Sequence, residues 1–195
     1  MKAIFYNELF KIGWPIGARL VYAQYLFQDY VGIGENFSGE GGTFDAEQFR
    51  EGLNYLDDDK QASYYLLCAT PANKIARVLN VSRQSVSNNI KTLIACGAWE
   101  DGVIVIKKNI AESTYFYLES ETGLSGWHLI VYSFLVHRCN KYKYVNTNRK
   151  KLAETFCIDE THLSHIVSDL IKMGWVDKIM KGRYWILIPR RKSRN

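Results

Sequence analysis

The sequence predicts a mainly α-helical protein with small β-hairpins, built as two tandem copies of one helix–helix–turn–helix–hairpin unit. Three observations carry that expectation. Two segments 77 positions apart align without a gap over about 26 residues, so self-similarity is the first property to read. Each segment carries one apolar stripe at helical spacing, and each is followed by two short strand-like runs. The copies divide the chain into residues 1–120 and 121–195.

The first element of each copy is a helix: "GARLVYAQYLF" (Gly17 to Phe27) aligns with "GWHLIVYSFLV" (Gly126 to Val136) at an offset of 109. The difference from 77 places a 32-residue insertion in the first copy, within about residues 28–70. That insertion holds "GIGENFSGEGG", a loop by composition, and "FDAEQFREGLNYLDDDK", which suits an acidic amphipathic helix. Next comes a short helix, from Pro71 to Leu79 behind a Thr70 cap, and from Asn148 to Phe156 in the second copy. The third helix carries the stripe. Val86, Ile90, Leu93 and Ile94 match Leu163, Val167, Leu170 and Ile171, at i, i+4, i+7 and i+8. Ser82 and Asp159 stand at N-cap positions, and Gly97 and Gly174 where each helix should stop. The hairpins are read as "VIVIKK" with "TYFYLES", tipped by Lys107, Lys108 and Asn109, and as "VDKI" with "RYWILI", turning at Met180 to Gly182.

A composition of 47% apolar and 23% charged residues excludes a disordered chain. No apolar run approaches a membrane span and the N-terminus lacks a signal peptide's apolar core, so a cytoplasmic protein with no membrane partner is expected. Cys68, Cys96, Cys139 and Cys157 lie far apart in apolar settings and read as reduced core residues. The net charge of +5 is uneven. Met1 to Ile110 holds 11 Lys/Arg against 12 Asp/Glu, whereas Ala111 to Asn195 holds 14 against 8. The second half is thus expected to face an anion, nucleic acid being the commonest.

"NKIARVLNVSRQSVSNNIKTLIACGAW" and "RKKLAETFCIDETHLSHIVSDLIKMGWV" each resemble the helix-turn-helix of bacterial, plasmid and phage DNA-binding proteins, the second in the manner of MarR-type regulators. With its hairpin, each copy resembles a winged-helix domain. The likeness covers both helix-turn-helices and hairpins closely, the first helices loosely, and the insertion not at all. Tandem winged helices behind a helix such as "GARLVYAQYLF" are also similar to plasmid and phage replication initiators. The resemblance implies a double-stranded DNA-binding protein with no cofactor and no enzymatic activity. It implies a transcriptional regulator first, a replication initiator second, and third a protein-interaction module with non-specific DNA adhesion. It also implies that the third helix of a unit enters the major groove, where each base pair shows a distinct donor and acceptor pattern.

In the first copy the face opposite the stripe is Arg83, Gln84, Ser85, Ser87, Asn88 and Lys91, and no acid occurs between Val81 and Trp99. Arginine suits guanine, and Gln or Asn suits adenine, so this copy is expected to read sequence. The second copy's face holds Glu160, Thr161, His162, Ser164, His165, Ser168 and Asp169, with Asp159 at the cap. Three acids would repel phosphate, and Ile166 stands where the first copy has Asn89, as a contact for a protein would. Cations surround it, however: Arg149, Lys150 and Lys151, then Lys178, Lys181 and Arg183 in its hairpin, and Arg190 and Arg191 in its tail. These suit phosphates, which position without specifying. Thr161, His162 and His165 complete the expected DNA contacts. A dimer would prefer an inverted repeat and an initiator direct repeats, while the insertion or the second copy could dock a protein.

Cys157, His162 and His165 match no closed four-ligand metal spacing, so polar helix residues are expected. Asp57 to Asp59 are consecutive and point apart, as in a solvated loop. The glycine-rich stretch lacks the Lys-Ser/Thr of a phosphate loop. "YNELFKIGW" and "YLFQDYVG" could stack single-stranded bases, but their spacing favours packing.

Overall fold

The computed structural model describes residues 3–37, 64–67, 70–100, 102–106, 108–111, 113–139 and 143–190. After β1 (Ala3–Tyr6) and a 3₁₀ turn (Asn7–Lys11) come α1 (Ile16–Phe37), β2 (Tyr64–Leu67), α2 (Ala72–Leu79) and α3 (Arg83–Ala95). Strands β3 (Trp99–Glu100) and β4 (Val103–Ile106), helix α4 (Lys108–Ala111) and β5 (Tyr115–Leu118) follow. The rest is α5 (Gly126–Cys139), β6 (Val145–Thr147), α6 (Arg149–Phe156), α7 (Glu160–Lys172), β7 (Val176–Lys181) and β8 (Tyr184–Pro189). The described residues are therefore mostly helical with three small antiparallel sheets, ordered β1-β5, β2-β4-β3 and β6-β8-β7. The last two sheets share one strand order, and the order helix, strand, helix, helix, hairpin occurs twice. No described helix is long and apolar enough to cross a membrane.

The repeat extends to individual backbone bonds. Ser82 Oγ accepts from the Ser85 N–H at 3.0 Å, and Asp159 Oδ1 from the His162 N–H at 2.7 Å, capping α3 and α7. Gly97 (φ 65°) and Gly174 (φ 73°) close those helices, the N–H of the following residue reaching Leu93 O and Leu170 O. Between the second and third helices Asn80 and Cys157, 77 apart, both take left-handed backbone (φ 53° and 51°). The turn that aims the third helix is thus the same in both units.

Some expectations need correction. The helix after Thr70 begins at Ala72 with Pro71 as its cap residue, because the Pro71 carbonyl accepts from Lys74 and Ile75. Gly32 to Phe37 of the expected loop continue α1; the expected acidic helix lies outside the described residues. The first hairpin does not join "VIVIKK" to "TYFYLES". Strand β4 folds back on β3, Glu100 opposite Val103, with Gly102 at φ 81°, and β5 pairs with β1 instead, Tyr6 opposite Tyr115. Asp-Gly is the strongest short hairpin signal, and a buried N-terminal strand competes for β5. The second hairpin turns one residue later than expected, Lys181 pairing with Tyr184. Cys139 is buried, which pushes its thiol up to about 11, but Cys96 and Cys157 are exposed; Cys68 lies outside the described residues.

One continuous core runs through both units. The chain's N-terminal segment knots it together: Phe10 meets Phe5 at 5.0 Å, Phe156 of α6 at 5.1 Å, Phe116 of β5 at 6.3 Å and Trp127 of α5 at 6.4 Å. Arg19 Nε donates to the Trp14 carbonyl at 2.6 Å and its guanidinium lies 5.9 Å from the Trp127 ring, so α1 also touches the second unit. Tyr6, Trp14 and Tyr25 from the two aromatic stretches are all buried, as packing requires.

Within α1, Gln24 is fully buried and neither end of its amide has a hydrogen-bond partner among the described residues. The equivalent Ser133 of α5 accepts from the Glu119 N–H at 2.8 Å. An unpaired buried polar group costs about 1–3 kcal/mol. Gln24→Met keeps the length and removes the amide. It should raise the urea midpoint with an unchanged denaturant slope, and a lower midpoint would show the amide to be satisfied.

Candidate nucleic-acid interface

Helix α3 packs Val86 and Leu93 into the core and turns the opposite side outward. Arg83, Gln84, Asn88 and Lys91 are exposed and Ser87 is half-buried. At 100° per residue these five occupy one arc about 140° wide. Ser85 falls outside it, its carbonyl accepting from Asn89 Nδ2 at 2.8 Å. Asn89 in turn faces α1, where a side chain on Gly17 would meet its amide at 2.6 Å. Gln84 Nε2 donates to Asn88 Oδ1 at 3.0 Å, which orders the two amides side by side. Ile94, expected in the stripe, sits at its edge and is 53% exposed.

Electrostatics distinguish this helix. Its first turn has no acid, and Arg83 occupies the first helical position. Aligned peptide dipoles make that end positive, so a cation there destabilises the helix unless an anion arrives from outside.

Helix α7 is arranged differently. Thr161, His162 and His165 are exposed, and the His162 ring stands edge-on to Trp127 at 6.0 Å. Its acids are occupied. Asp159 caps the helix, Glu160 accepts from Arg149 Nε at 2.6 Å, and Asp169 lies 3.4 Å from Lys172 Nζ and 3.5 Å from His128 Nε2. The expected repulsion of phosphate is therefore reduced, and Arg149 is drawn from the expected cation ring. Ile166 is 3% exposed and belongs to the core, which removes it as a contact for a partner. Cys157, His162 and His165 form no metal-ligand group, and none of three or more such side chains occurs among the described residues.

Bonds from the backbone N–H groups of α7, that of His162 foremost, hold the Asp159 carboxyl below the usual aspartate range. A depressed folded pKa adds stability above the unfolded pKa, near 3.9, and that addition fades as pH falls through the folded value. Asp159→Asn keeps a capping oxygen without the charge. The melting-temperature gap between the two proteins should be present at pH 7 and close below pH ~3.9. A gap constant with pH would deny the carboxylate this role.

The hairpin cations divide. Lys178, Lys181 and Arg183 are exposed on β7–β8, with Lys178 Nζ 4.8 Å from the Trp185 ring centre. Lys108 opens α4, at the end of β4 away from the turn, so it does not tip a hairpin. Lys107 and Arg191 lie outside the described residues. Arg190 Nε is bonded to Asp177, and its backbone joins Trp175 and Tyr132, so it fastens the end of β8. Sequence reading missed the pairing of β3 with β4 and the role of Arg190. Asp101-Gly102 signalled the first, whereas the second depends on Asp177, 13 positions away in another strand. Comparison with protein-family models, curated proteins and solved structures returns no match.

Proposed function

We propose that the protein binds double-stranded DNA with sequence preference, as a tandem winged-helix regulator of bacterial, plasmid or phage type. The observation that carries this reading is the acid-free exposed face of α3, with Arg83 at the helix's positive end and the Gln84–Asn88 amide pair beside it. A single helix fits the major groove, and these are side chains that distinguish base edges. In this reading α3 specifies, and α7 with Lys178, Lys181 and Arg183 grips the backbone.

A second reading rests on Ile179, Met180 and Tyr184, each more than half exposed on the β7–β8 hairpin. There the second unit docks a protein, and its cations give non-specific adhesion.

Selection of bound sequences from a random duplex pool near physiological salt separates the possibilities. The expected result is a motif with two spaced half-sites. Inverted half-sites indicate a dimeric regulator, direct ones an initiator at origin repeats. Recovery of no motif, with binding lost as salt rises, would overturn sequence reading in favour of the second.

A further inference from the structure

A groove of ≈ 450 Å³ lies away from α3, between the β5 segment, the C-terminal end of α5 and β6. Its volume falls within the small-ligand range of about 300–1,000 Å³. Phe116 and Phe134 contribute buried apolar rings. Tyr115 and Tyr144 contribute aromatic rings 49% and 46% exposed, large areas to leave in water without use. Tyr115 is held in place, since Tyr6 and Tyr117 each stand edge-on to it at 6.0 Å. Arg138 and His137 are exposed there too, the guanidinium 5.3 Å from the Phe134 ring centre. Arg138 makes no ion pair with a described residue, and no described residue lining the groove is acidic.

A ligand matched to this groove has a flat π-face for the tyrosines and an anionic group for Arg138. Duplex DNA offers phosphates but keeps its base faces stacked inside. An unpaired nucleotide offers both. We infer that the groove between β5 and β6 binds an unpaired nucleotide, its base against Tyr115 and Tyr144 and its phosphate at Arg138. The site is independent of the duplex face on α3.

The test uses the full chain and a fluorescein-labelled oligothymidylate strand followed by anisotropy. Saturable binding is expected. Tyr115→Ala and Tyr144→Ala should each weaken it about 5- to 150-fold, the range for losing one base–aromatic stack. Tyr144→Phe, which keeps the ring, should retain it, and Arg138→Gln should weaken it and flatten its salt dependence. Unlabelled thymidine monophosphate that competes fully would mark the ligand as a free nucleotide; displacement by strands alone would mark it as single-stranded nucleic acid. Arg83→Ala should leave oligothymidylate binding unchanged. No saturable binding, or equal affinity in Tyr144→Ala and Tyr144→Phe, would overturn the inference. Loss of duplex selection through α3 would leave these readouts unaffected, so the two readings fail separately.

Discussion

Phe10→Ala should destabilise the protein by about 3–5 kcal/mol, the range for deleting a buried phenylalanine ring. The residue is 4% exposed and lies in a 3₁₀ turn near the N-terminus, yet its ring meets residues from β1, β5, α5 and α6. Few side chains near it can move to refill the space. Phe116 and Phe156 are themselves fixed by edge-on contacts to Phe134 at 5.7 and 5.0 Å. A cavity closes poorly when its walls are held by one another, so the cost should lie towards the upper end of the range. Urea denaturation followed by tryptophan fluorescence and circular dichroism measures it. Because Phe10 joins the two units, their coupling should weaken as well, and the two probes should separate in the variant while coinciding in the wild type. A loss under about 1 kcal/mol, with coincident probes, would show that the aromatic knot is not what couples the units.

Arg83→Glu should give opposite signs in two assays. On the selected duplex, loss of an arginine contact to guanine costs about 1–3 kcal/mol, roughly 5- to 150-fold in affinity, and the added negative charge increases the loss. On random duplex the loss should be small. In thermal unfolding the same variant should be more stable, by about 0.3–1 kcal/mol, since an acid replaces a cation at the positive end of α3. A residue kept for folding would lose both together. Asn88→Ala should share the binding loss without the stability gain, because its amide is paired with Gln84 at an exposed position. Equal losses on selected and random duplex would assign Arg83 to backbone contact alone.

Sequence alone determined the third helices, their caps at Ser82 and Asp159, the stops at Gly97 and Gly174, and the tandem repeat. These features are local. A cap bond spans three residues, and an apolar stripe at 3.6-residue spacing is complete within one helix. The exposure of Arg83, Gln84, Asn88 and Lys91 followed from that stripe, so much of the candidate face was legible in the sequence. Tertiary structure decided the rest. It gave β5 to β1 rather than to β4, paired Glu160 with Arg149 and Arg190 with Asp177, and placed Ile166 inside although it aligns with half-buried Asn89. It also assembled the tyrosine groove from segments that share no motif. The physical reason is common to all of these. A strand edge or a charged side chain can satisfy several partners far along the chain, and which one it meets depends on the packing of every other element.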